Sequence, residues 1–234
     1  MADAALAPER VAARWAEVQE RLAAALARTG RTDSVTVVAV TKGHPPAAVD
    51  AALALGLRDI GENRVQELEA KVAVAGRDRA TWHLLGPLQR NKIRRALPLV
   101  DRFHALDSLR IAESLSTAAE MQGRRLPVLV EVNCSGEATK HGFRPDETLE
   151  VLARLVEFPG LAIEGLMTMA PWTDHEPTLR ATFRCLRRLR DAAAARWPQV
   201  HHLSMGMSND YPIAVEEGST IVRLGTALFG ERPT

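Results

Sequence analysis

Cysteine is nearly absent from this sequence: Cys134 and Cys185 are the only two, with no C-x-x-C and no metal-like spacing. Such a chain cannot build a disulfide framework, and both are expected as free thiols. Aromatic residues are scarce at 4%, with Tyr211 the single tyrosine, so a protein that stacks single-stranded bases would lack its platform. An excess of either charge is missing as well. Thirty Lys and Arg stand against 29 Asp and Glu for a net +1, which leaves no global field to recruit nucleic acid or a membrane surface. The basic run RCLRRLRDAAAAR (184 to 196) therefore reads as a solvated helix face.

Long hydrophobic runs are missing too, since no segment reaches the roughly 18 uninterrupted apolar residues of a membrane span. The start, MADAALAPER, has no basic stretch leading into an apolar one. A soluble, cytoplasmic protein with no membrane partner is the expectation. There is no low-complexity tract, no internal repeat and no H-E-x-x-H. His201 and His202 are neighbours that a strand would send to opposite faces, so metal chemistry is not expected. Ser208 lacks the glycine two residues on that G-x-S-x-G requires, which disfavours an acyl hydrolase.

What is present is alternation. Val11, Trp15, Val18, Leu22 and Leu26 recur at helical spacing through residues 8 to 29, ending at Gly30. Eight short apolar runs follow as predicted strands, near 35–40, 57–60, 82–85, 103–106, 127–133, 161–167, 201–205 and 220–224. Helical stretches fall between them at 46–55, 62–75, 89–96, 108–122, 145–157, 176–196 and 208–217. The pattern predicts an α/β fold, a (β/α)8 TIM-type barrel in one domain over 1–234. Residues 1–30 form its additional N-terminal amphipathic helix, and the last helix is apparently missing. A doubly wound open sheet is the alternative.

In such a barrel chemistry collects on the loops after the C-terminal strand ends. There stand Lys42, GENRVQE (61 to 67), GPLQRNK (86 to 92), NCSGEATKHG (133 to 142), SMGMSND (204 to 210) and RLGT (223 to 226). SMGMSND followed by a helix suits an anion, and RLGT adds the main-chain donors of Gly225 and Thr226 and a hydroxyl. Barrels commonly assemble a phosphate site from the loops after strands seven and eight. Alone, SMGMSND reads as an ordinary turn and helix cap, and Lys42 as a surface lysine; together they suggest an aldehyde bearing a phosphate. Pyridoxal 5′-phosphate fits, as a Schiff base on Lys42 whose apolar strand end lowers the amine pKa by desolvation.

The motifs AVTK (39 to 42), IGEN (60 to 63), VQE (65 to 67), WHLLGPLQRNK (82 to 92), LMTMAP, LSMGMSND and STIVRLGTALFG occur in order along essentially the whole chain. This set resembles the pyridoxal-phosphate-binding homeostasis proteins, related in fold to the N-terminal barrel of alanine racemase. The resemblance implies a monomeric or weakly associating barrel that holds the cofactor without established catalytic turnover and acts in vitamin B6 and amino-acid balance. PLP-dependent apo-enzymes would be its recipients. By position, Lys42 resembles the Schiff-base lysine, Ser208, Gly225 and Thr226 the phosphate contacts, and Arg223 the residue facing the pyridine nitrogen. Asn63 and His83 match pocket residues. Where many relatives carry a second lysine, this chain has His44, and Lys140 matches a family lysine but reads as a solvated loop residue. A racemase would need a second base, a tyrosine supplied by a further β domain. The sequence ends at Thr234 without one, so a carrier is favoured. A small racemase-like enzyme on amino acids, or a barrel for another phosphate ligand, are the alternatives.

Overall fold

Eight apolar, β-branched runs each end in a polar loop and are followed by a helix, and the strands close on themselves. The computed structural model describes residues 6–232 and shows one barrel in the order β1 to β8, all parallel. Residues 1–5 and 233–234 of the expected domain lie outside the described residues. The strands are β1 Thr36–Val40, β2 Asp59–Glu62, β3 Thr81–Leu84, β4 Arg102–Leu106, β5 Leu126–Glu131, β6 Leu161–Met167, β7 His202–Met207 and β8 Ile221–Leu224. Closure comes from β1 lying on β8, with Thr36 opposite Ile221 and Ala39 opposite Leu224. Strands covered on both faces are largely apolar, and Val38, Ala39, Ile60, Val128 to Val130 and Leu224 are accordingly buried.

The helices are α1 Pro8–Thr29, α2 Ala47–Ala54, α3 Val65–Ala75, α4 Ile93–Ala96, α5 Leu109–Glu120, α6 Thr148–Leu155, α7 Glu176–Ala194, α8 Tyr211–Glu216 and α9 Thr226–Phe229. Proline at its first turn starts α1, and Gly30 ends it in the left-handed conformation at φ 67°, its N–H returning to Ala27 O. The buried stripe of Val11, Val18, Leu22 and Ala25 packs α1 onto α8 and α9. The eighth helix, expected to be missing, is present as the single turn of α9, with α1 packed over it.

Several boundaries differ from the sequence reading by a few residues, and three of the differences bear on the site. β2 runs on through Gly61 and Glu62, because Gly61 sits where a Cβ would approach Val38 Cγ1 to 2.8 Å and the Glu62 charge is paired inside the protein. β7 extends to Met207, and α8 starts at Tyr211 rather than 208, since the Met207 amide donates to Asp210 Oδ1 at 2.6 Å and holds 208–210 as a turn. His201 precedes β7, so its ring does not oppose that of His202; the two centroids are 4.1 Å apart.

Candidate functional site

A cavity of about 510 Å³ opens at the C-terminal ends of the strands and is lined from several of the loops that follow them. Lys42 enters it two residues beyond β1. Its side chain is half-buried, and among the described residues its amine has no hydrogen bond or ion pair. Burial, then the nearby Arg232 and Arg223, push the amine below the ordinary lysine range, while Glu62 and Glu67 pull the other way. Lys42 therefore carries a larger neutral fraction than a surface lysine does.

The backbone around it is braced. Thr41 N–H donates to Gly61 O at 3.0 Å, and Gly43 N–H donates to Glu67 Oε2 at 3.0 Å. Lys71 Nζ donates to Thr41 O at 2.5 Å and pairs with Glu62, which also accepts from Thr41 Oγ1 at 2.5 Å. Both members of this pair are buried, and among the described residues Glu62 Oε2 has no partner. Burial raises the Glu62 pKa, with Lys71 opposing it.

On the other side, the loop after β7 meets the loop after β8. Ser208 Oγ accepts from the Ala227 N–H at 3.0 Å, stapling the two together, and Ser208, Asn209, Gly225 and Thr226 form this wall. Gly206, at φ 97°, permits the turn: a Cβ there would lie 2.6 Å from Ala214 Cβ. Arg223 rises from β8, buried, with Nη1 donating to Ser204 Oγ at 2.6 Å and Nη2 to Thr168 O at 3.0 Å. Burial brings it down to about 10, with Asp210 and Glu131 supporting the charge, so it stays cationic at neutral pH.

The structure thus brings Lys42, Asn63, Ser208, Arg223, Gly225 and Thr226 to one cavity. His83 does not line it. Leu85 and Gly86, further along the chain, reach the cavity, whereas the His83 ring lies a layer deeper, bonded to His104 at 2.8 Å and Asp59 at 2.9 Å. Lys140 is not a solvated loop residue: it is half-buried, lines the cavity and donates to Ala170 O at 2.9 Å. His44 also lines the cavity, its ring 5.5 Å from that of Phe229. Sequence reasoning missed Glu131 and Arg232. Glu131 ends β5 with 4% exposure and no hydrogen bond to its carboxyl among the described residues. Burial, reinforced by Asp107, raises it to about 7 against the pull of Arg223 and His141. A charged residue closing an apolar strand was its available signal; Arg232, beyond the last element, offered none.

The sole tyrosine is elsewhere. Tyr211 is fully buried on α8, its hydroxyl unpartnered among the described residues, under the Arg21 guanidinium 5.1 Å from its ring centroid, and does not line the cavity. Among the described residues no group of three or more His, Cys, Asp or Glu is placed to hold a metal, and no helix is long and apolar enough to cross a membrane.

The cavity's contents fit a phosphate-bearing aldehyde: an unpartnered amine with a depressed pKa, a small-residue and hydroxyl wall from the two loops, and cations in the same space. Known proteins can be set beside this geometry. The family described as the alanine racemase N-terminal domain matches residues 14–233. The pyridoxal phosphate homeostasis protein of Aquifex aeolicus is 38% identical over 94% of this chain and 97% of its own. That of Escherichia coli K12 is 37% identical over 95% and 97%. The structure of PipY from Synechococcus elongatus with PLP bound superposes at TM-score 0.78 with 39% identity, covering 90% of this chain and 99% of PipY. An alanine racemase of Clostridium difficile shares the fold at TM-score 0.75 and 15% identity, this chain covering 59% of it.

Proposed function

Since the chain belongs to the pyridoxal phosphate homeostasis protein family, built on the alanine racemase N-terminal barrel, we propose that its cavity binds pyridoxal 5′-phosphate. In this reading Lys42 holds the cofactor's aldehyde as a Schiff base. Ser208, Gly225 and Thr226 hold the phosphate, Arg223 faces the pyridine nitrogen, and Asn63 lines the pocket. The observation that carries the reading is the unpartnered Lys42 amine in the same 510 Å³ cavity as the stapled Ser208 and Thr226 loops. When bound, the cofactor would supply an electrophilic carbon and an electron-withdrawing ring.

The protein's own residues set how far that chemistry goes. Lys42 must be neutral to take the aldehyde, and its burial and cationic neighbours favour that form. Arg223 stays cationic at neutral pH and only donates, so it would keep the ring nitrogen unprotonated and weaken the ring as an electron sink. A two-base proton exchange of the alanine racemase type needs a tyrosine opposite the lysine, and the chain's single tyrosine is held outside the cavity. We therefore read the protein as a carrier in vitamin B6 and amino-acid balance, handing the cofactor to PLP-dependent apo-enzymes as a cytoplasmic monomer, and not as a racemase.

Titration with the cofactor, followed by absorbance, tests this: the native protein should develop a visible band that Lys42→Ala abolishes. An unchanged band in Lys42→Ala overturns the lysine assignment. Deuterium entry at the α-carbon of alanine at enzyme-like rates overturns the carrier reading.

A further inference from the structure

A chain of polar side chains crosses the barrel interior beneath the cavity. Asp59 Oδ1 is 2.9 Å from His83 Nε2, His83 Nδ1 is 2.8 Å from His104 Nε2, and His104 Nδ1 is 2.9 Å from Ser204 Oγ. Arg223 Nη1 then donates to the same Ser204 Oγ at 2.6 Å. The two imidazoles and Ser204 are fully buried, whereas the Asp59 side chain keeps 32% of its surface in solvent. Five strands each contribute one member.

The two ends dictate the polarity. A guanidinium only donates and a carboxylate only accepts. Ser204 Oγ receives a hydrogen from Arg223, and among the described residues His104 Nδ1 is the one acceptor within reach of its own hydrogen, so that nitrogen is bare. His104 then carries its hydrogen on Nε2 and donates to His83 Nδ1, and His83 in turn donates from Nε2 to Asp59. Reversing the chain would need a protonated carboxyl at Asp59. Placing a second proton on His83 would bury an imidazolium and leave the Ser204 hydrogen without an acceptor, both costly in a dry interior. Burial, then His83 and Arg223, hold His104 well below the usual histidine range, in keeping with a neutral ring. Hydrogen bonds aligned head to tail in a low dielectric polarise one another.

Arg223 makes no ion pair among the described residues, although it is buried and cationic. We propose that Asp59, His83, His104 and Ser204 are positioning residues for Arg223, forming a one-way hydrogen-bond chain that holds its guanidinium at the cavity and conveys to it a carboxylate's charge. This goes beyond the cofactor reading, because the chain belongs to the protein alone. The start of β2, where Asp59 meets solvent, then has a handle on the cavity.

Side-chain ¹H–¹⁵N correlation spectra of the ¹⁵N-labelled protein without cofactor at pH 7 test it. His83 and His104 should both appear as neutral Nε2–H tautomers. Asp59→Asn, a mild change at a partly exposed site, should move the ¹⁵N resonances of His83, His104 and the Arg223 side chain, although Asp59 touches only His83 of these. With Ser204→Ala added, Arg223 should cease to respond while the two histidines still do. An Nδ1–H tautomer or an imidazolium at either ring overturns the proposal, as does a response to Asp59→Asn that stops at His83. The Asp59→Asn arm decides the matter even if Ser204→Ala does not fold. No cofactor enters the experiment, so failure of the cofactor reading leaves its result intact.

Discussion

Replacing Lys71 by methionine keeps the length of the side chain and removes its charge, and the structure says what that costs. Glu62 has no exposed surface, its Oε2 is already unpartnered, and its remaining stabilisation is the 2.5 Å bond from Thr41 Oγ1. Removing one partner of a buried pair typically costs about 3–5 kcal/mol, because a charge is left desolvated and alone. In a domain of this size that lowers Tm by on the order of 10 °C. The cost has a sign in pH. Burial already raises the Glu62 pKa, and losing the Lys71 attraction raises it further. A carboxyl whose folded pKa exceeds its unfolded value destabilises the fold as pH climbs from the unfolded toward the folded value, and the penalty is relieved below both. Urea unfolding at pH 5, 6.5 and 8 should therefore show the Lys71→Met deficit growing with pH. Lys71→Met with Glu62→Leu should regain most of the loss, since an apolar pair carries no desolvation penalty. A deficit under about 1 kcal/mol at pH 8, or one that does not change with pH, would refute the reasoning. The effect matters for the site because Lys71 also holds the carbonyl of Thr41, the residue before Lys42.

Glu131→Gln should stabilise the apo-protein at pH 8 by roughly 2 kcal/mol and leave it nearly unchanged at pH 5, because a buried carboxyl titrating at about 7 costs the fold its charge only as pH rises; equal effects at both pH values would count against the burial argument. Gly206→Ala should destabilise by more than about 1 kcal/mol, from positive φ and the 2.6 Å approach to Ala214, and thermal denaturation showing no loss would mean that the turn relaxes freely.

The barrel was legible because each strand is a short apolar run punctuated by a polar loop, and eight such runs alternate with helical stretches. What misled the reading were polar residues inside strands. Glu62 reads as loop beyond the strand, because its partner, Lys71, lies nine positions on in the next helix. Gly206 and Met207 look like loop, yet β7 carries both through the barrel wall. For the site, residues on consecutive strand ends were readable, since the fold sends all of them to one rim. Depth along a strand was not: His83 and Leu85 differ by two positions, and only the three-dimensional layering separates an interior histidine from a cavity wall. Arg232 joins the cavity through tertiary placement that no local pattern encodes, whereas Glu131, a charge closing an apolar strand, left a signal that went unread.

The central claim is that Lys42 carries the cofactor. The chain has four lysines, Lys42, Lys71, Lys92 and Lys140, so the claim can be read peptide by peptide. Protein saturated with pyridoxal 5′-phosphate, reduced with borohydride and digested, should show the phosphopyridoxyl mass on the peptide containing Lys42 at close to one equivalent. The same mass on Lys71, Lys92 or Lys140 in the native protein, or on none of the four, would contradict the account.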